Sequence, residues 1–297
     1  MPAMANSLSP GFLVGHWTST EARTGCTVIL PPAGNVTSCD IRGSSPSSRE
    51  LELLHPDRKL TETHGILLTG GSAFGLAAAD GVMQWLEGRG IGYMTGAGVV
   101  PIVPAAVILD LGTGSASLRP GPEQGRAACE AASEHEVAAG AVGVGIGATV
   151  GKWAGFEHRQ DGGVGIGRSS AGGHEVCALA VVNSVGDVLG ADGSVLRGTT
   201  ASDPHFSPRS RPAIASNTVL AIVTTNARLD KRDVRFLASR GSDGITISVR
   251  PAHTRYDGDV VFAVAGPAPD APPADLDVLG LLATEAVAAA VRDAVAH

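Results

Sequence analysis

The chain has 297 residues, of which 43% are apolar and only 17% charged, with a formal net charge of −7. That acidity, with no basic run and no aromatic stacking series, argues against nucleic acid or an anionic membrane as a partner, because both reward clustered Lys and Arg. So little charge implies a thick core or a homo-oligomer interface, and the 40 glycines, interleaved with Val, Ile and Ala, imply sheets whose backbones approach closely.

Cys26, Cys39, Cys129 and Cys177 have no CxxC spacing, and the opening Met-Pro-Ala-Met-Ala-Asn-Ser lacks a charged n-region and an apolar h-region, so a reducing, cytoplasmic setting is expected. In chain order, apolar runs bounded by turn residues predict strands at 26–30 and 65–69, followed by a helix at 73–88 with Ser72 as its N-cap and a second helix at 122–138. Further strands are predicted at 142–150, 163–169, 176–183 and 219–225. Leu229-Asp230 then leads into a helix at 230–240, and strands at 245–249 and 259–265 precede a last helix at 276–296. That last segment carries Asp277, Glu285, Arg292 and Asp293 and reads as a soluble helix, not a membrane span. Several strands are adjacent in sequence, so a layered α/β sandwich fits better than a doubly wound βαβ fold. The stretch 198–213, broken by Pro204, Pro208 and Pro212, is the expected linker.

Gly-Val-Gly-Ile-Gly occurs at 143–147 and again at 163–167, suggesting two strands joined by a loop. Gly145 to Lys152 is not a phosphate loop: Ile146 stands where the pattern needs Gly, and Trp153 where it needs Ser or Thr. Lys152 then reads as a solvated loop lysine. The histidines form no HxH or HxxxH pair and no Cys/His cluster, so no metal or other cofactor is expected, and His16, His64 and His174 read as satisfied structural residues. Gly-x-Ser-x-Gly is absent.

Three polar positions sit at strand ends. Asn183 closes the run Cys177–Val182, where it can cap a turn or donate to an oxyanion. Asp257-Gly258-Asp259 precedes an apolar run, and is either an Asp-Gly turn or a carboxylate pair that orients an amine or hydroxyl. Asn217-Thr218 leads into Val219–Val223. It is either a loop closing before a β-branched strand or a cleavage site at which Thr218 becomes an N-terminal nucleophile, its own α-amine acting as base.

Together these residues resemble the self-processing amidohydrolases that include β-peptidyl aminopeptidases, D-aminopeptidases and nylon-oligomer hydrolases. The resemblance spans almost the whole chain. It runs from Val14-Gly15-His16 and Thr24–Val28 through Thr69–Leu76, Val100–Ile108, Gly147–Lys152, Val181–Asn183 and Asn217-Thr218 to Tyr256–Asp259. It implies a four-layer αββα sandwich of the N-terminal-nucleophile kind. The fragments would be 1–217 and 218–297, with Thr218 as nucleophile and Lys152, Asn183, Asp257 and Asp259 as the polar groups around it. Leu109 stands where nylon-hydrolysing relatives have Tyr, and Val260 follows Asp259 where Thr is usual. The implied activity is an amide hydrolase acting through an acyl-enzyme, an aminopeptidase on short peptides or small amides. Its rivals are an acyltransferase of the ornithine acetyltransferase type and a non-catalytic ligand-binding relative.

Overall fold

The computed structural model describes residues 7–202, 217–267, 271 and 274–297. Most of the expected linker, 203–213, therefore lies outside the described residues. Ten strands build two five-stranded sheets: β1 (Leu13–Ser19), β2 (Thr24–Leu30), β3 (Val36–Ile41), β4 (Ser48–Arg49), β5 (Ile66–Thr69), β6 (Ala105–Val107), β7 (Gly163–Ala171), β8 (His174–Asn183), β9 (Thr218–Thr225) and β10 (Val260–Ala265). One sheet has the order β1-β2-β5-β6-β4 and the other β7-β8-β9-β10-β3. Four helices cover them: α1 (Ala78–Glu87), α2 (Pro122–Glu130), α3 (Lys231–Ser248) and α4 (Leu276–Asp293).

Period-two alternation assigns each strand residue to one of two cores. In β8 and β9, Cys177, Leu179, Val181, Leu220 and Ile222 meet Ile29, Ile66, Leu68 and Ala106 between the sheets. Their neighbours Val176, Ala178, Ala180, Val182, Val219, Ala221 and Val223 turn outward onto α3 and α4. On the opposite side, Cys26, Val28 and Leu67 pack on Ala78, Val82 and Leu86 of α1 and Ala128 of α2. The layers are thus helix, sheet, sheet, helix, the expected αββα sandwich. Among the described residues, no helix is long and apolar enough to cross a membrane.

The two Gly-Val-Gly-Ile-Gly copies have different fates. The second is strand β7, in which Val164 and Ile166 face the inter-sheet core while the glycines lie under α4. A Cβ at Gly165 would meet the Ala290 carbonyl oxygen at 2.1 Å, and one at Gly167 that of Ala286 at 2.0 Å. The first copy is not a strand. Gly143–Gly147 is a 3-10 turn entered by Gly143 at φ 51, and its amides bond to the Thr18 and Thr27 hydroxyls instead of a sheet ladder. Only Thr149–Val150 beyond it is extended.

Other expectations also change. Segment 245–249 is helix as far as Ser248, because Ile245 continues the buried ridge Val234, Leu237, Ala238 and Gly241, and the Thr246 and Ser248 hydroxyls bond back to carbonyls four residues earlier. The helix at 122–138 stops at Glu130, where the chain leaves to pair Ser133 with Val14 on the edge of β1. Ser72 is not an N-cap: at φ 54 it opens a 3-10 turn, Ser72–Ala77, that precedes α1, whereas a capping residue needs extended backbone. Asp230 does cap α3, accepting from the Arg232 and Asp233 amides at 2.8 and 2.9 Å. Strands β1, β3 and β6 went unpredicted because their apolar residues are interrupted by Gly, His, Thr and Ser or are too few.

Candidate active site

Strand register brings the polar strand ends together. Antiparallel pairing of β8 with β9 makes Asn183 the cross-strand partner of Thr218. Parallel pairing of β9 with β10 extends backwards by one bridge, between Asn217 and Asp257. The Asn217-Thr218 dipeptide at the start of β9 and the Asp-Gly-Asp before β10 therefore lie side by side, because parallel strands in register begin at the same end. Thr218, Asn183, Asp257 and Asp259 are all buried.

The carbonyl between Asn217 and Thr218 is held from two sides. Gly258 N–H donates to its oxygen at 3.0 Å, and the Thr218 hydroxyl donates to the same oxygen. A side chain on Gly258 would not fit, since its Cβ would lie 2.8 Å from the Ser45 carbonyl oxygen and 3.0 Å from Thr218 Oγ1. The Asn217 side-chain amide is buried, and neither its Nδ2 nor its Oδ1 has a hydrogen-bond partner among the described residues.

Asp259 accepts the Val219 N–H at 2.6 Å through one carboxylate oxygen and faces His253 Nδ1 at 2.7 Å through the other. Asp257 accepts the Thr254 amide at 2.7 Å and its hydroxyl at 2.6 Å. Burial, followed by repulsion from Asp259, pushes the Asp257 carboxyl up to about 6.

Lys152 is not a solvated loop residue. It is 1% exposed, on the short helical turn Lys152–Ala154, which is pinned by Gly151 N–H on the Gly186 carbonyl and Trp153 N–H on that of Val185. Its Nζ donates to Asn183 O at 3.1 Å and Asn183 Oδ1 at 2.9 Å. Burial lowers the ammonium to about 7, against the opposing pull of Asp257. An amine held there exchanges its proton readily near neutrality. Asn183 Oδ1 also accepts the Thr149 amide at 3.0 Å, which fixes the orientation of that side chain.

All five predicted site residues thus belong to one buried cluster at the ends of β8, β9 and β10. Sequence reasoning missed His253, the Gly258 amide, Thr149 and Thr254. Thr254, three residues before Asp257, has the spacing of a local side-chain turn and could have been found. Nothing in the sequence near His253 marks it.

The model of peptidase family S58 matches residues 9–297. The chain belongs to this family. It is 39% identical over 297 residues to an uncharacterized aminopeptidase of Mycobacterium leprae, the match covering 89% of this chain and 80% of that one. It is 30% identical over 294 residues to a 6-aminohexanoate-oligomer endohydrolase of Kocuria sp., covering 94% of this chain and 79% of that one. A Burkholderia β-aminopeptidase superposes with a TM-score of 0.74 at 22% identity, covering 99% and 87% of the two chains. The L-aminopeptidase D-Ala-esterase/amidase of Ochrobactrum anthropi, described as a variant of the Ntn hydrolase fold, gives 0.73 at 19% identity, covering 98% and 88%. The S58 chain is accordingly a hydrolase of peptide or amide bonds with the N-terminal-nucleophile fold.

Proposed function

We propose that this S58 hydrolase matures by cutting its own Asn217–Thr218 bond and then acts as an aminopeptidase with Thr218 as nucleophile. The observation that carries this reading is the strand register, which gathers Asn183, Asp257 and Asp259 around Thr218, with its hydroxyl already against the Asn217 carbonyl. In the uncut chain the nitrogen of Thr218 is an amide, so another group must accept the hydroxyl proton. Lys152, lowered to about 7, is the candidate base. The Thr218 oxygen adds to the Asn217 carbonyl carbon, and the charge that develops on the carbonyl oxygen is held by Gly258 N–H. The C–N bond breaks, the nitrogen takes up a proton, and an ester joins Asn217 to the Thr218 oxygen. Water hydrolyses that ester, releasing the Asn217 carboxylate and restoring the hydroxyl.

The new α-amine, with an ordinary pKa of about 7.7–8.0, then activates the hydroxyl toward substrate amides. Asn183 and protonated Lys152 support the oxyanion, while Asp257 and Asp259 orient the amine. The same carboxylates suit a substrate ammonium, and Leu109 replaces the aromatic hydroxyl of nylon-hydrolysing relatives. Short peptides and small amides with a free amino terminus are therefore the proposed substrates, in keeping with the mycobacterial relative named as an aminopeptidase.

We further propose a homo-oligomer in the cytoplasm. The exposed hairpin of Tyr93–Thr95 and Gly98–Val100 presents Tyr93, Met94 and Val100 as interface candidates, and all four cysteines are free and buried, as a reducing compartment favours.

The decisive experiment is the intact mass of the purified protein beside Thr218→Ala. Fragments 1–217 and 218–297 are expected from the wild type and one chain from the variant. Cutting of the variant at this bond would overturn the assignment.

A further inference from the structure

His253 lies outside the sequence motifs that carry the resemblance, yet it touches the site directly. Its side chain is 14% exposed, that of its partner Asp259 2%, and its backbone takes φ 53, a conformation few residues other than glycine adopt. Both ring nitrogens face oxygens: Nε2 lies 3.1 Å from the Ser242 carbonyl and Nδ1 2.7 Å from Asp259 Oδ2. A carbonyl oxygen only accepts, so Nε2 carries a hydrogen. If Nδ1 also carries one, the pair is an imidazolium with a carboxylate; otherwise Asp259 must hold the proton.

The surrounding charges decide between these states. Burial opposes a charge on His253, but the hydrogen bond and the negative charge of Asp259 outweigh it and raise the ring's pKa. The nearby cation Arg42, from the end of β3, is occupied by Asp40 at 2.9 Å and by Asp243 of α3 at 2.7 Å. It meets Asp259 only through its backbone N–H, which with that of Gly43 donates to the Asp259 carbonyl. On the other side of the turn stands Asp257, whose described donors are neutral, the amide and hydroxyl of Thr254 and the backbone amide of Val185, and beyond it Lys152. Among the described residues, His253 is the cationic side chain bonded to Asp259.

We propose that His253 is a positioning residue for the nucleophile: its imidazolium is the cation bonded to Asp259 and fixes that side chain in place, and Asp259 in turn holds the Val219 amide and the strand start that carries Thr218. The pair is made unequal by this contact. Asp259 is held by His253 and the Val219 amide and orients the strand start, whereas Asp257, buried and with no bonded cation among the described residues, is the carboxyl pushed up to about 6. This inference rests on the reading of Thr218 as nucleophile.

The test compares wild type, His253→Asn and Thr218→Ala. Asn can still donate a hydrogen bond but carries no charge. Self-cleavage and kcat are expected to fall about 100-fold, as for a slightly misplaced reacting group, with KM changed less than about threefold. Loss of this cation favours protonation of the buried groups around Thr218, so the acid limb of the self-cleavage profile, which follows Lys152, is expected to move up by about one pH unit. A purely structural role would leave that limb in place. In parallel, ¹⁵N NMR of histidine-labelled wild type, assigned by loss of the signal in His253→Asn, is expected to show both ring nitrogens protonated at neutral pH. An unprotonated Nδ1, or a wild-type acid limb in a folded His253→Asn, overturns the proposal while the nucleophile assignment stands. Cleavage of Thr218→Ala overturns both.

Discussion

Replacing Lys152 with Met removes the proposed base and a buried amine at once, and the two losses act in opposite directions on activity and stability. The ammonium is lowered from 10.5 to about 7, a difference of about 5 kcal/mol at ~1.4 kcal/mol per pH unit. Met has similar length and no charge to desolvate, but it leaves Asn183 O and Oδ1 without their amine donor, at a cost of about 1–3 kcal/mol. A net stabilisation of about 2–4 kcal/mol is therefore expected below pH 7, together with a fall in self-cleavage of about 10²–10⁴-fold from loss of the base. The pH dependence has a definite sign. Because the folded pKa lies below the unfolded one, the penalty on the wild type is fully present below pH 7 and shrinks as pH rises from about 7 to 10.5. Thermal unfolding of both forms in the Thr218→Ala background, where each is one uncut chain, measures this. The advantage of the Met form should narrow steadily above neutrality and reverse near the upper end. A gap that stays constant from about pH 6 to pH 9, or cleavage at the wild-type rate in the Met form, would refute the buried-base reasoning.

Gly258→Ala places a methyl 2.8 Å from the Ser45 carbonyl and 3.0 Å from the Thr218 hydroxyl; timed denaturing electrophoresis should show self-cleavage slowed about 100-fold, with about 1–3 kcal/mol lost in stability. Asn183→Ala removes the proposed oxyanion donor and should slow both maturation and turnover by about 100- to 1000-fold, read from fragment appearance and steady-state rates. In the uncut chain, self-cleavage should accelerate as pH rises through about 7, following deprotonation of Lys152, and Lys152→Arg, which cannot supply a neutral base, should remove that rise in a stopped-time assay. Against a panel of aminoacyl and β-aminoacyl anilides, their N-acetylated forms and a linear aminohexanoate oligomer, the free-amine substrates should be fastest; the oligomer as best substrate would mean that Leu109 does not exclude it.

Much of the molecule was legible in one dimension. The β8 and β9 strands follow from unbroken apolar runs, α4 from its periodicity, and the α3 start from Asp230, because each depends on neighbours within a few residues. The candidate site residues were also legible individually, as polar groups placed where apolar runs begin or end. What the linear order left open was whether Lys152 is solvated or buried, since burial depends on Asn183 and the turn at Val185–Gly186, both far along the chain. The identical Gly-Val-Gly-Ile-Gly copies could not be told apart locally either. One is a strand because Ala286 and Ala290 of α4 lie over its glycines, and the other a turn because Thr18 and Thr27 take its amides. His253 became visible only once α3 and the Asp-Gly-Asp turn were packed on either side of it. Local pattern dictates which segments are strand or helix, while register and layer packing decide which polar ends meet, because hydrogen-bonded pairing between strands joins residues with no proximity in sequence.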